Sequence, residues 1–251
     1  MRGRFFLLPV NLSYNATMAI ADMIFEKLTN EEDARLCLDI DEAACRESPQ
    51  SFIIILSSYF LTKLGDTIAN PKTTLAWLVT AVGAPAFVLG FLVPIRESGS
   101  MIPQLFIGST IRQLPVRKWV WVAGCVMQGL CILGIGLVAF KLSGAAAGWS
   151  ILVLITAFSL ARGFCSVAAK DVLGKTIPKN KRGQLNGWSA SGAGLLSVAV
   201  GVTLILATAE SADVHILGFL LLCAGLLWIL AAAIYTGIPE TPGETGGGVR
   251  R

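Results

Sequence analysis

Charge is what this sequence has least of. Asp, Glu, Lys and Arg make up 14% of its 251 residues, against about a quarter in a soluble domain. A surface so poor in charge cannot be mostly wetted. Histidine is nearly missing as well, His215 being the only one. The six cysteines (Cys37, Cys45, Cys125, Cys131, Cys165, Cys223) contain no CxxC pair. That combination argues against a zinc centre, and no metal or other cofactor is expected, nor a nucleic-acid partner. A cleavable leader is not expected either. The apolar stretch Phe5 to Val10 behind Met1-Arg2-Gly3-Arg4 is too short, and polar residues follow it at once.

What is present is apolar material in long runs. Hydrophobic residues are 54% of the chain, and mean hydropathy is +0.69. About 20 apolar residues cross a hydrocarbon core about 30 Å thick. Lipid cannot satisfy backbone polar groups, so such runs must be helices. The expected fold is an all-α polytopic membrane protein with six transmembrane helices and both termini cytoplasmic. The spans are placed at about 52–76, 86–111, 119–140, 149–173, 186–207 and 215–236. Trp119, Trp149, Trp188 and Tyr235 stand near span ends, where interfacial aromatics belong. Residues 1–50 hold nine of the 16 acidic residues and read as a cytoplasmic lead-in, with an amphipathic helix around Met18–Leu36. Residues 238–251 are rich in Pro and Gly and read as the start of a linker.

The first two spans admit two registers. Hydropathy alone favours the charge-free run Thr73–Ile95 as one span, after a short one at Phe52–Leu64. The register adopted here splits that run between the end of the first span and the start of the second. It puts Lys63, Asp66, Arg96 and Glu97 at membrane depth. Both registers give the same parity, so orientation can be read from charge. The loops after spans two and four carry Arg112, Arg117, Lys118, Lys175, Lys179, Lys181 and Arg182. The opposite loops carry Lys141, then Glu210, Asp213 and His215.

Several segments carry a resemblance. Gly108-Ser109-Thr110-Ile111-Arg112-Gln113-Leu114-Pro115-Val116-Arg117-Lys118 is similar to the gating loop between spans two and three of the major facilitator superfamily. Gly108, Arg117 and Lys118 match in position, while Arg112 replaces the usual aspartate and Pro115 the second glycine. Arg162-Gly163-Phe164-Cys165-Ser166-Val167-Ala168-Ala169 resembles the family's fourth span. Ile177-Pro178-Lys179-Asn180-Lys181-Arg182-Gly183 resembles its link into the fifth, and Ile238-Pro239-Glu240-Thr241-Pro242-Gly243-Glu244 the opening of its central loop. The resemblance covers residues 52–245. It implies one six-helix half of a secondary transporter in a bacterial inner membrane, working by alternating access. The family's other half is also six helices, so a second half is an implied partner, beside the bilayer and a small solute.

Ionisable residues at membrane depth are expensive and usually have a task. Lys63, Asp66 and Asn70 are spaced by three and four, which puts them on one helical face. Arg96 and Glu97 stand together on the second span; charge balance pairs Arg96 with Asp66 and Glu97 with Lys63. Arg162, Ser166 and Lys170 form a stripe on the fourth span, with Asp171 beside its end. These nine residues are the substrate and proton-coupling candidates. Rival readings are a structural or regulatory half without flux, a fragment of a longer transporter, and an integral-membrane enzyme. No aspartate cluster or GxSG nucleophile supports the enzyme, and none is expected.

Overall fold

The computed structural model describes residues 23–25, 45, 47–101, 104, 113–207 and 213–242, with the backbone alone for 203–207. The helix expected around Met18–Leu36, Gly108 and Arg112 of the gating-loop pattern, the far part of the span expected over 86–111, and the tail beyond residue 242 lie outside the described residues. Seven helices are bounded: α1 (Ser48–Ile68), α2 (Thr74–Ala81), α3 (Phe87–Ser98), α4 (Lys118–Lys141), α5 (Gly144–Thr176), α6 (Lys179–Ala207) and α7 (Val214–Tyr235). No strand occurs among the described residues.

Four of these, α1, α4, α5 and α7, are long and apolar enough to cross a membrane. The expectation of six spans is therefore met by four on length and composition, among the described residues. Of these, α4, α5 and α7 carry apolar side chains on their outer as well as their inner faces. Met127, Leu130, Leu137, Val153, Phe219, Leu226 and Leu230 all point outward. Water would not tolerate that arrangement, whereas lipid favours it.

The first two expected spans are where sequence and structure differ most. The span expected over 52–76 stops as a helix at Ile68, because Pro71 disfavours helical geometry at the residue before it. Asn70 instead closes a local turn, its Oδ1 accepting from Lys72 N at 2.8 Å. Helix resumes at Thr74. The apolar run Thr73–Ile95 then breaks again. Gly83 takes a left-handed φ of 68°, which suits glycine, and Pro85 has no N–H to donate. This turn is tied to the next one: Gly144, with φ 60°, donates its N–H to Val82 O at 2.7 Å.

Helix α4 lies between α5 and α7; α1 rests on α7 and α6; α3 packs on α5. Glycine sets the α4–α7 distance. A Cβ at Gly225 would stand 2.6 Å from Leu133 Cγ and 3.0 Å from Gly129 O, and one at Gly129 would stand 3.0 Å from Gly225 O. Small residues let helices approach closely where lipid gives no hydrophobic push. Gly225→Val is expected to destabilise the protein by about 1–3 kcal/mol through overpacking. The check is thermal unfolding in detergent, with Gly194→Val as control because nothing lies within 4 Å of its Cβ position. Equal melting of the two variants would refute the close-packed interface.

Candidate functional site

Asp66, two residues from the end of α1, is the centre of a three-helix charge cluster. Its Oδ1 accepts from Arg96 Nη2 of α3 at 2.7 Å and from Arg162 Nη1 of α5 at 2.5 Å. Arg96 is held on every side. Its Nη1 donates to Ala69 O, the carbonyl left open where α1 ends, at 2.9 Å. Its guanidinium also lies 4.5 Å from the ring centre of Phe158. The arginine therefore fills two needs of α3 and α1 at once. It satisfies a carbonyl at a helix terminus and it neutralises Asp66. Arg162 stands near the middle of α5 and is more open, at 38% side-chain exposure against 6% for Arg96.

Beside the cluster is a cavity of about 420 Å³. Lys63, Asp66, Arg162, Ser166 and Lys170 line it, together with Tyr59, Thr62, Trp121, Cys125, Gln128, Asn186 and Trp228. Lys63 does not reach Glu97. Its Nζ donates to Ser189 Oγ at 2.6 Å and Asn186 O at 3.2 Å, both on α6. Glu97 is exposed, on the position after Arg96. Asn70 sits in the α1–α2 turn rather than in the cavity. The stripe Arg162, Ser166, Lys170 does line one wall, as its spacing of four requires.

Asp171 belongs elsewhere. It pairs with Arg117, just before α4. There a second polar cluster ties three helix ends together. Glu240, two residues into the segment read as linker, has a side chain with no exposure. Its carboxylate accepts from Arg117 N at 2.9 Å, from Lys118 N at 2.6 Å and from Lys175 Nζ at 3.0 Å. Lys118 Nζ donates back to Ile238 O at 2.6 Å and Thr236 O at 3.1 Å. An anion at the start of α4 meets the free N–H groups and the positive end of the helix dipole. Of the gating-loop residues, Arg117 and Lys118 thus act at this cluster.

Sequence reasoning missed Glu240, Gln128 and the aromatic wall. Glu240 had one available signal: it is acidic, follows Pro239, and stands just past an apolar span. Gln128, the one amide inside the span of α4, donates to Cys165 Sγ at 3.1 Å and Gly124 O at 3.3 Å. Nothing in the sequence sets Trp121 and Trp228 apart from the other four tryptophans. Comparison of the chain with family models, with curated proteins and with solved structures finds no match in any of the three.

Proposed function

We propose that this chain is a secondary transporter of a small solute, coupled to protons through Asp66 and working by alternating access. In this reading α1 and α2 are one span broken at residues 69–73. With the span that α3 begins, and with α4 to α7, that makes six spans. The chain is then one half of major facilitator type, in a bacterial inner membrane, with both termini cytoplasmic and a second six-helix half as partner.

One observation carries the reading. A single carboxylate beside a polar cavity joins three helices, at the level where one of them is interrupted. Non-helical backbone at membrane depth is tolerated where it lines a cavity or is covered by protein, and broken helices mark solute sites in transporters. Protonating Asp66 removes the charge that holds α3 and α5 to α1. Solute binding and the rocking of one bundle against another can therefore be linked to one proton.

The test is proteoliposomes with a pH dye inside, offered a panel of solutes, with the chain alone and with a second half added. Solute-dependent proton movement is expected, and Asp66→Asn is expected to abolish it. Failure of every solute to move protons, with and without a second half, would refute the transporter. A structural or regulatory half would then be the reading left.

A further inference from the structure

An apolar groove of about 610 Å³ runs along the outside of the bundle, between α4 and α5. Ala123, Gly124 and Ala161 are its floor, and Trp119, Met127 and Phe164 stand in its walls. The floor is shut by close contact of the two helices. A Cβ at Gly124 would stand 2.6 Å from Cys165 Sγ and 3.1 Å from Ala161 O. The walls open outward: Trp119 is 55% exposed, Met127 51% and Phe164 36%. Trp119 is the second residue of α4, and Met127 lies eight positions further on. At 1.5 Å per residue the groove reaches about 12 Å inward from the end of the helix. The hydrocarbon of one leaflet is about 15 Å deep, half of a core of about 30 Å. The groove thus has the depth of one acyl-chain layer, and it starts at the interface.

A cation stands at its mouth. Lys118 Nζ lies 5.4 Å from the ring centre of Trp119. Its neighbours at this end of the bundle are paired, Arg117 with Asp171 and Lys175 with Glu240. The Lys118 ammonium meets only carbonyl oxygens, those of Thr236 and Ile238, and makes no ion pair among the described residues. An ammonium has three N–H donors, so one is left over. Lysine at a span end extends its stem along apolar surface and holds its head at headgroup level. A phosphate there would meet both the free N–H and the positive charge.

We propose that the α4–α5 groove holds an acyl chain of an anionic phospholipid, with the lipid's phosphate at Lys118. The site needs only the bilayer, so it stands or falls apart from solute movement. The full chain is taken from nanodiscs holding equal amounts of dioleoyl phosphatidylglycerol and dioleoyl phosphatidylcholine, and the lipid it retains is weighed by native mass spectrometry. Phosphatidylglycerol is expected to be retained about fivefold over phosphatidylcholine, the effect of one lysine beside an anionic headgroup. Lys118→Gln is expected to level the two lipids, and Lys118→Arg to keep the preference. The backbone N–H of residue 118, which holds Glu240, is the same in all three chains. Ala123→Phe fills the groove from an exposed position, so the fold should tolerate it, and melting in detergent checks that it does. It is expected to lower phosphatidylglycerol retention about fivefold or more. Equal retention of the two lipids by the parent chain overturns the proposal. So does a preference that survives Lys118→Gln, or retention unchanged by Ala123→Phe. A dimer that Ala123→Phe dissolves would overturn it too, by showing a second copy of the chain in the groove.

Discussion

Asp66→Ala is expected to destabilise the protein by about 3–5 kcal/mol, the range for breaking a buried ion pair by removing one partner. The loss falls mainly on Arg96. Its side chain is 6% exposed, and the variant leaves Nη2 without its acceptor. Arg162 is 38% exposed and can recruit water, so it contributes less. Two guanidinium groups would also face each other across the space the carboxylate occupied. Asp66→Asn keeps the shape and one acceptor oxygen, and its expected loss is smaller, about 1–3 kcal/mol.

A double variant separates this account from simple loss of packing. Arg96→Met combined with Asp66→Ala replaces the pair by apolar groups, which is often close to neutral. The double variant is therefore expected to be more stable than Asp66→Ala alone. Ala69 O then loses its donor, which keeps the rescue partial. Thermal unfolding in detergent, run as a double-mutant cycle, reads the coupling. Additive losses would mean that Arg96 and Asp66 do not act on each other.

Glu240→Ala is expected to have the second largest effect, about 3 kcal/mol or more by the same reasoning. It strands Lys175, whose side chain is 18% exposed, and uncovers the N–H groups of Arg117 and Lys118. It also removes an anion from the positive end of α4, a further few tenths to 1 kcal/mol. Three helix ends share this carboxylate: the start of α4, the last turn of α5 and the segment after α7. The end of the bundle that they form should loosen. Cys165 is a buried free thiol that lines the cavity. Mass spectrometry should find it alkylated several-fold faster in Glu240→Ala than in the parent chain. Unchanged stability together with an unchanged Cys165 rate would show that the segment after α7 is tied down by other contacts.

Much of the architecture is legible in the chain itself. Scarcity of charge and long apolar runs require helices with lipid-facing sides, because neither water nor a small core can accept so much apolar surface. The uninterrupted runs of α4, α5 and α7 announce themselves, since nothing in them ends a helix early. The stripe Arg162, Ser166 and Lys170 follows from helical spacing alone. Asn70 shows where such spacing fails. It stands four residues from Asp66, but Pro71 ends the helix between them and turns its side chain to a local bond.

Other features belong to the tertiary structure alone. Spacing says which residues share a face, but not how each helix is turned about its axis against its neighbours. That rotation is set by packing, as at the glycine contacts of α4 with α7. It decides that Arg162 joins Arg96 on one carboxylate, that Lys63 leaves Glu97 for Ser189, and that Trp121 and Trp228 become a cavity wall. Glu240 is the extreme case. Its partners lie 65 or more positions away in sequence, and only the meeting of three helix ends turns a polar tail residue into a buried one.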